Sequence, residues 1–187
     1  MFMAIDRRAA AETWLRTRGA DGIDHPGGTL LAHLGRVRTL LAEWGAAGDV
    51  QLAGLCHAAY GTDGFDVALL PPDERPVLAE VIGPEAEALV YLYGGCDRGR
   101  TYPELARPVV TFTDRFGGGR HVPPESDLRA FMEITAANEL DVVRHNCELA
   151  DRHGAALAAL FDRTRRHLSA PATHAWTAFA SRSRPAT

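Results

Sequence analysis

Apolar residues recur at helical spacing through most of the chain. In TLLAHLGRVRTLLAEWG, Leu30, His33, Leu34, Val37, Leu41 and Trp44 fall at i, i+3, i+4 and i+7 intervals, which predicts a core-facing helix closed by Gly45. Ala9 to Arg18 predicts an earlier helix, ended by Gly19 and Gly22. Asp49 can cap a third, Val50 to Tyr60, whose inward positions are Val50, Ala53, Cys56 or His57, and Tyr60. After the break at Pro71 and Pro72, a short helix is expected from about Asp73 to Ile82. Another follows from Pro84 to about Tyr93, with Pro84 suited to its first turn.

The stretch RPVVTFTDRFGGGRHVPP departs from this pattern. Val109, Val110, Phe112 and Phe116, set among threonines, predict a short extended segment or hairpin with Gly117 to Gly119 as its tip, the best candidate for a lid. Ser126 or Asp127 then opens the longest helix, running to about Arg152. A break is expected at Gly154 and a further helix through about His167. The tail from Ser169 to Thr187 is small and polar apart from Trp176 and Phe179, which predicts a short docked helix with a frayed end. No repeat or linker interrupts the text. The expected architecture is an all-α, single-domain helical bundle over 1–187, core about 8–168 and tail 169–187, with one hairpin or lid.

Composition narrows the class. At 187 residues, 46% hydrophobic and 24% charged, the chain suits one globular domain, and no apolar run approaches the roughly 18 residues of a membrane span. The N-terminal MFMAIDRRAAAETW lacks the basic and apolar regions of an export signal, so the cytosol is expected. Cys56, Cys96 and Cys147 show no CxxC spacing and read as reduced thiols. A net charge of −4 with no basic stripe argues against nucleic acid as a partner. All 20 basic residues are arginine, which fits GC-rich bacterial coding and says nothing of mechanism. A small-molecule substrate is the expected partner, and a homodimer is compatible with the sequence.

Polar groups interrupt three apolar helix faces. His33 sits inside the leucine stripe, His57 shares a face with Ala53 and Tyr60, and Phe131, Ile134, Asn138, Asp141 and His145 form a seam on the long helix that begins apolar and turns polar. A lone histidine on such a face is more often a hydrogen-bonded core residue than a functional one. Burying all three sets costs several kcal/mol unless they bond to one another, to water or to an ion, so a shared polar pocket is expected. His25, beside Pro26, Gly27 and Gly28, precedes the second helix, whose exposed N–H groups would favour an anion. Tyr60, Thr62, Asp97 and Arg98 come at helix ends where they could rim the pocket, although Asp97 and Arg98 read equally as an ion pair or cap. His121, His153, His167 and His174 have no patterned partner and read as surface residues.

The order of His33, then His57 in LAGLCHAAYGT, then a distant acidic residue, Asp141, resembles the HD superfamily, named for a His-Asp pair. HPGGTLLAHLGRVRTLLAEWG, LAGLCHAAYGTDGF, RPVLAEVIGPEAEALVYLYGGCDR and ITAANELDVV are similar to an uncharacterised HD-like family over about residues 24 to 145. The resemblance implies an all-α bundle with a site for one or two metal ions, used for phosphoester hydrolysis or oxidative cleavage. Carried across, His33 is the first ligand, His57 the histidine of the pair and Asp141 the distal carboxylate. Ala58 departs from the pattern, standing where the paired aspartate would be, which disfavours a two-metal phosphohydrolase.

Two enzymatic readings remain, and one without catalysis. In the first, His33, His57 and Asp141 perform metal-free acid–base chemistry, of isomerisation, dehydration or cyclisation type, on a small molecule held by His25, Tyr60, Thr62, Arg98 and Asn138. In the second, His33, His57 and Asp141, joined by His25 or His145, hold a single Fe or Zn for an oxygenase or hydrolase. In the third, the scaffold is a non-catalytic binding module whose histidines are sealed away.

Overall fold

The computed structural model describes residues 6–182. Helix α1 (Arg7–Thr17) starts at Asp6, whose carboxylate accepts from the N–H groups of Arg8 and Ala9. A two-residue antiparallel ladder, β1 (Asp24–His25) with β2 (Gly28–Thr29), leads into α2 (Leu30–Glu43), which Thr29 caps through Ala32 N–H. Helices α3 (Gly48–Cys56), α4 (Arg75–Ile82), α5 (Pro84–Gly94) and the short α6 (Arg98–Thr101) follow. A second ladder, β3 (Phe112–Thr113) with β4 (Arg120–His121), precedes α7 (Glu125–His145), α8 (Cys147–Arg163) and α9 (Ala170–Arg182). The architecture is all-α, as the periodicity predicts, and among the described residues no helix is long and apolar enough to cross a membrane.

The apolar stripe of α2 is buried as spaced: Leu30, Leu34, Val37 and Leu41 are inaccessible to solvent, and α2 packs between α3 and α7. Gly54 makes the close approach of α2 to α3. A methyl group there would collide with the Leu41 side chain, so only hydrogen lets the two backbones draw together and brings His33 and His57 side by side.

Three boundaries differ from the sequence expectation. Helix α3 ends at Cys56, so His57 is its C-terminal flanking residue and Tyr60 lies beyond it, while Asp49 sits in the first turn with Ala47 at the cap position. The long helix ends at His145 because Asn146 turns extended and caps α8 by accepting from Leu149 N–H. Gly154 does not break α8: Phe179 of α9 lies against it, and a Cβ there would come within 3.1 Å of that ring. The docked helix expected in the tail is α9, with Trp176 and Phe179 buried, and the frayed end from residue 183 lies outside the described residues.

The β3–β4 hairpin is not a lid over the histidines. Phe112 and Thr113 are buried, Thr113 N–H donates to Thr101 Oγ1, and Arg115 N–H donates to Gly95 O, which fastens the segment along α5 and α6. Its free face borders Tyr91 and Asp127, around a separate cavity.

Candidate functional site

The polar interruptions of α2, α3 and α7 converge. His33 lies inside the helical stripe and is fully buried, with Nδ1 2.7 Å from Asp141 Oδ2 and Nε2 3.0 Å from Asn138 Oδ1. Asp141 and Asn138 are three residues apart on α7, so both face α2. The Asn138 amide is oriented by its own donation from Nδ2 to Glu139 Oε1 at 3.2 Å.

Arg36, one turn beyond His33, closes the network. Its Nε donates to Asp141 Oδ1 at 2.7 Å and its Nη2 to Oδ2 at 3.0 Å. The same guanidinium donates to the carbonyls of Pro26 and Gly27, at 3.0 and 3.1 Å, and so fixes the turn that carries His25. Burial alone would push the Asp141 carboxyl up, but the bonds from His33 and Arg36 prevail and hold it down to about 2.

His25 stacks on His33, ring centroids 3.9 Å apart and planes 25° apart. His57 meets His33 edge-on at 5.3 Å and Tyr93 at 5.1 Å. Gly54 O can only accept, so the 2.8 Å contact with His57 Nδ1 places the proton there and leaves the lone pair on Nε2, to which no described group bonds. Burial, then the neighbouring His33, lowers His57 to about 3 and His25 to about 4, so both rings are neutral near pH 7.

These rings face a chamber of about 210 Å³ whose walls include His25, His57, Thr62, Asp63, Arg98 and Asn138. Ala58 is part of the wall too, presenting a methyl group. Arg98 is held on three sides: its backbone N–H donates to Asp63 Oδ2 at 2.8 Å, and its side chain donates from Nη1 to Glu139 Oε1 at 3.1 Å and from Nη2 to the Tyr93 hydroxyl at 3.3 Å. The guanidinium therefore pairs with Glu139, the Asp63 carboxylate stands on the backbone N–H of the same residue, and His25 and His57 stay neutral. The chamber has no surplus positive charge.

The expected set is distributed in a way the spacing does not reveal. His25, His57, Thr62, Arg98 and Asn138 line the chamber, whereas His33 and Asp141 stand behind its wall, joined to it through Asn138 and the His25 and His57 rings. Tyr60 does not rim it: its hydroxyl donates to Glu87 at 2.7 Å, in a separate buried cluster with Arg75. Asp97 caps α6 by accepting from Arg100 N–H. His145 lies outside, with Nδ1 on the Asp141 carbonyl at 2.8 Å. His121, His153 and His174 are exposed, but His167 is buried, with Arg166 Nε donating to its Nε2. Arg36, Asp63 and Glu139 were not anticipated. Arg36 could have been found, because the i+3 relation to His33 puts it on the same helix face.

The donor chemistry does not fit a metal ion. Both ring nitrogens of His33 and both oxygens of Asp141 are engaged within the protein, Ala58 offers no donor, and among the described residues no three His, Cys, Asp or Glu side chains group as a metal site would require.

Residues 14–98 match the sequence profile of a family described as a domain of unknown function, DUF6817. Curated proteins give no match to the chain. Among solved structures the fold is similar to that in "A metazoan ortholog of SpoT hydrolyzes ppGpp and plays a role in starvation responses", at 13% identity and a TM-score of 0.62, covering 98% of each chain. The fold is thus an all-α, HD-like one, and at that identity the likeness extends to the fold alone.

Proposed function

We propose that the chain is an enzyme that rearranges or dehydrates a small polar molecule by proton transfer at His57, without a resident metal ion. The observation that carries this reading is the His57 imidazole, locked by Gly54 O with an unpaired Nε2 lone pair in the wall of a chamber that also offers Thr62, Asn138 and Arg98 as donors. His33, Asp141 and Arg36 are positioning residues: they fix Asn138 and the stacked His25 ring and touch no substrate themselves.

Hydrolysis of ppGpp, the activity named for the structural neighbour, finds less support here. A polyphosphate needs cations or a metal, and here Arg98 is outnumbered by Asp63 and Glu139, with two neutral histidines beside them. Ala58, in place of the paired aspartate of the HD pattern, removes a further ligand. The group that meets His57 is therefore uncharged.

The test is to incubate a fractionated metabolite extract with the purified chain and with His57→Gln, and to follow products by mass spectrometry. The reading expects at least one compound converted by the wild type about 100-fold faster than by the variant. Equal conversion by both would discard His57 as the proton-transferring group, and binding without conversion by either would make the chain a binding module.

A further inference from the structure

A second and larger cavity, about 490 Å³, adjoins the histidine chamber beneath α8. The two share Gly64, Arg98, Glu139, Val142 and Leu149, so the Arg98–Glu139 pair stands as the partition between them. The outer space differs from the inner one in chemistry. Val143, Leu149, Leu157 and Leu160 make much of its wall apolar, and Arg163 stands at the end of α8.

Two polar features of that wall have no use within the protein. No carboxylate among the described residues pairs with Arg163, whereas the other cation of the cavity, Arg98, is paired with Glu139. The hydroxyl of Tyr102 is buried without a hydrogen-bond partner, which is uncommon for a buried polar atom. With Arg98 balanced by Glu139, Arg163 leaves the outer cavity one positive charge in excess, the reverse of the inner chamber.

The geometry points to an amphipathic monocarboxylate as the ligand, an aliphatic or arylalkyl acid whose carboxylate meets Arg163, whose apolar body lies beneath α8 and whose uncharged far end enters the histidine chamber past the Arg98–Glu139 pair. A single carboxylate matches a single unpaired guanidinium. The apolar wall excludes a ligand charged along its length. This inference rests on the proposed catalytic reading only for what happens at the far end, since binding in the outer cavity stands apart from turnover.

Isothermal titration of the full chain with octanoate, 1-octanol and inorganic pyrophosphate separates the possibilities. Octanoate is expected to bind about tenfold more tightly than 1-octanol, the preference a charge-assisted bond confers. Arg163→Gln, at an exposed position where folding is not at risk, should bring the two to near-equal affinity, and Leu157→Trp should weaken both by filling the apolar space. A chain that binds octanoate with this preference but converts no compound sinks the catalytic reading and keeps this one. Equal affinity for acid and alcohol in the wild type, tighter binding of pyrophosphate, or no binding of octanoate would each overturn the assignment.

Discussion

Arg36 holds Asp141 by both carboxylate oxygens, from Nε to Oδ1 at 2.7 Å and from Nη2 to Oδ2 at 3.0 Å. The guanidinium lies partly open while the carboxylate is buried, and the same side chain ties down the turn bearing His25. The positive charge that balances the buried Asp141 is provided by a side chain three residues from His33.

Removing that guanidinium strands a buried carboxylate. Arg36→Met is expected to lower unfolding free energy by about 3 kcal/mol, in line with breaking a buried ion pair from one side, and Arg36→Lys by about 1 kcal/mol, since charge is kept and the two-pronged grip is lost. Urea denaturation followed by circular dichroism checks both. A neutral Arg36→Met would mean that Asp141 is satisfied by His33 and His145 without the guanidinium.

Acidification should destabilise the fold well before the carboxylates titrate. His25 and His57 are held at about 4 and about 3, against 6.5 when unfolded, so the unfolded chain binds more protons across that interval. Stability is complete above pH 6.5. It falls as pH drops, by about 1.4 kcal/mol per unit for each histidine in the linear range, flattening for His25 near 4 and for His57 near 3. Asp141 adds a lower window, between 3.8 and about 2. Melting temperatures from pH 7.5 to 4.5 should show this descent, and His57→Gln should make it shallower; an unchanged slope in the variant would contradict a neutral buried His57.

Divalent ions should leave the protein indifferent. With the nitrogens of His33 and the oxygens of Asp141 engaged, Mn²⁺, Zn²⁺ and Fe²⁺ are expected neither to raise the melting temperature nor to co-purify in stoichiometric amount when no chelator or nickel resin is used. Metal analysis of the purified chain, repeated on Arg36→Gln, decides this. An ion present at one per chain in the wild type would require the Arg36–Asp141 pair to open.

Gly27 is the tightest point of the turn beside His25. Its φ is +80° and a Cβ there would stand 2.8 Å from the ring of His145, so Gly27→Ala is expected to cost about 2 kcal/mol through backbone strain and collision together. Combining it with His145→Ala removes the ring part of the collision, leaving the Cβ contact, and should recover part of the loss, a coupling that a double-mutant cycle measures. Strict additivity would mean that the backbone alone carries the cost.

Much of the fold was legible because α2 and α7 carry long, unambiguous periodicity, and the seam from Phe131 to Asp141 foretold the meeting with His33. The division of labour within the cluster was not. Whether a residue faces the chamber or stands behind it depends on helix packing, which Gly54 governs by letting α3 approach α2, and spacing along one helix carries no record of that distance. Tyr60 illustrates the limit: its helical position put it with His57, but α3 ends at Cys56, and the chain beyond turns the hydroxyl to Glu87. Gly154 failed for the opposite reason, its lack of a side chain serving a ring on α9 that no local window contains.

Asn146 separates two helices with unlike duties. The one before it carries the anchored Asn138 and Asp141, and the one after it roofs the larger cavity. Substitutions along α8 can therefore reshape what the cavity admits while the imidazole network, held from α2 and α7, stays in register. Divergence in ligand preference among descendants of such a chain would be written in α8 first.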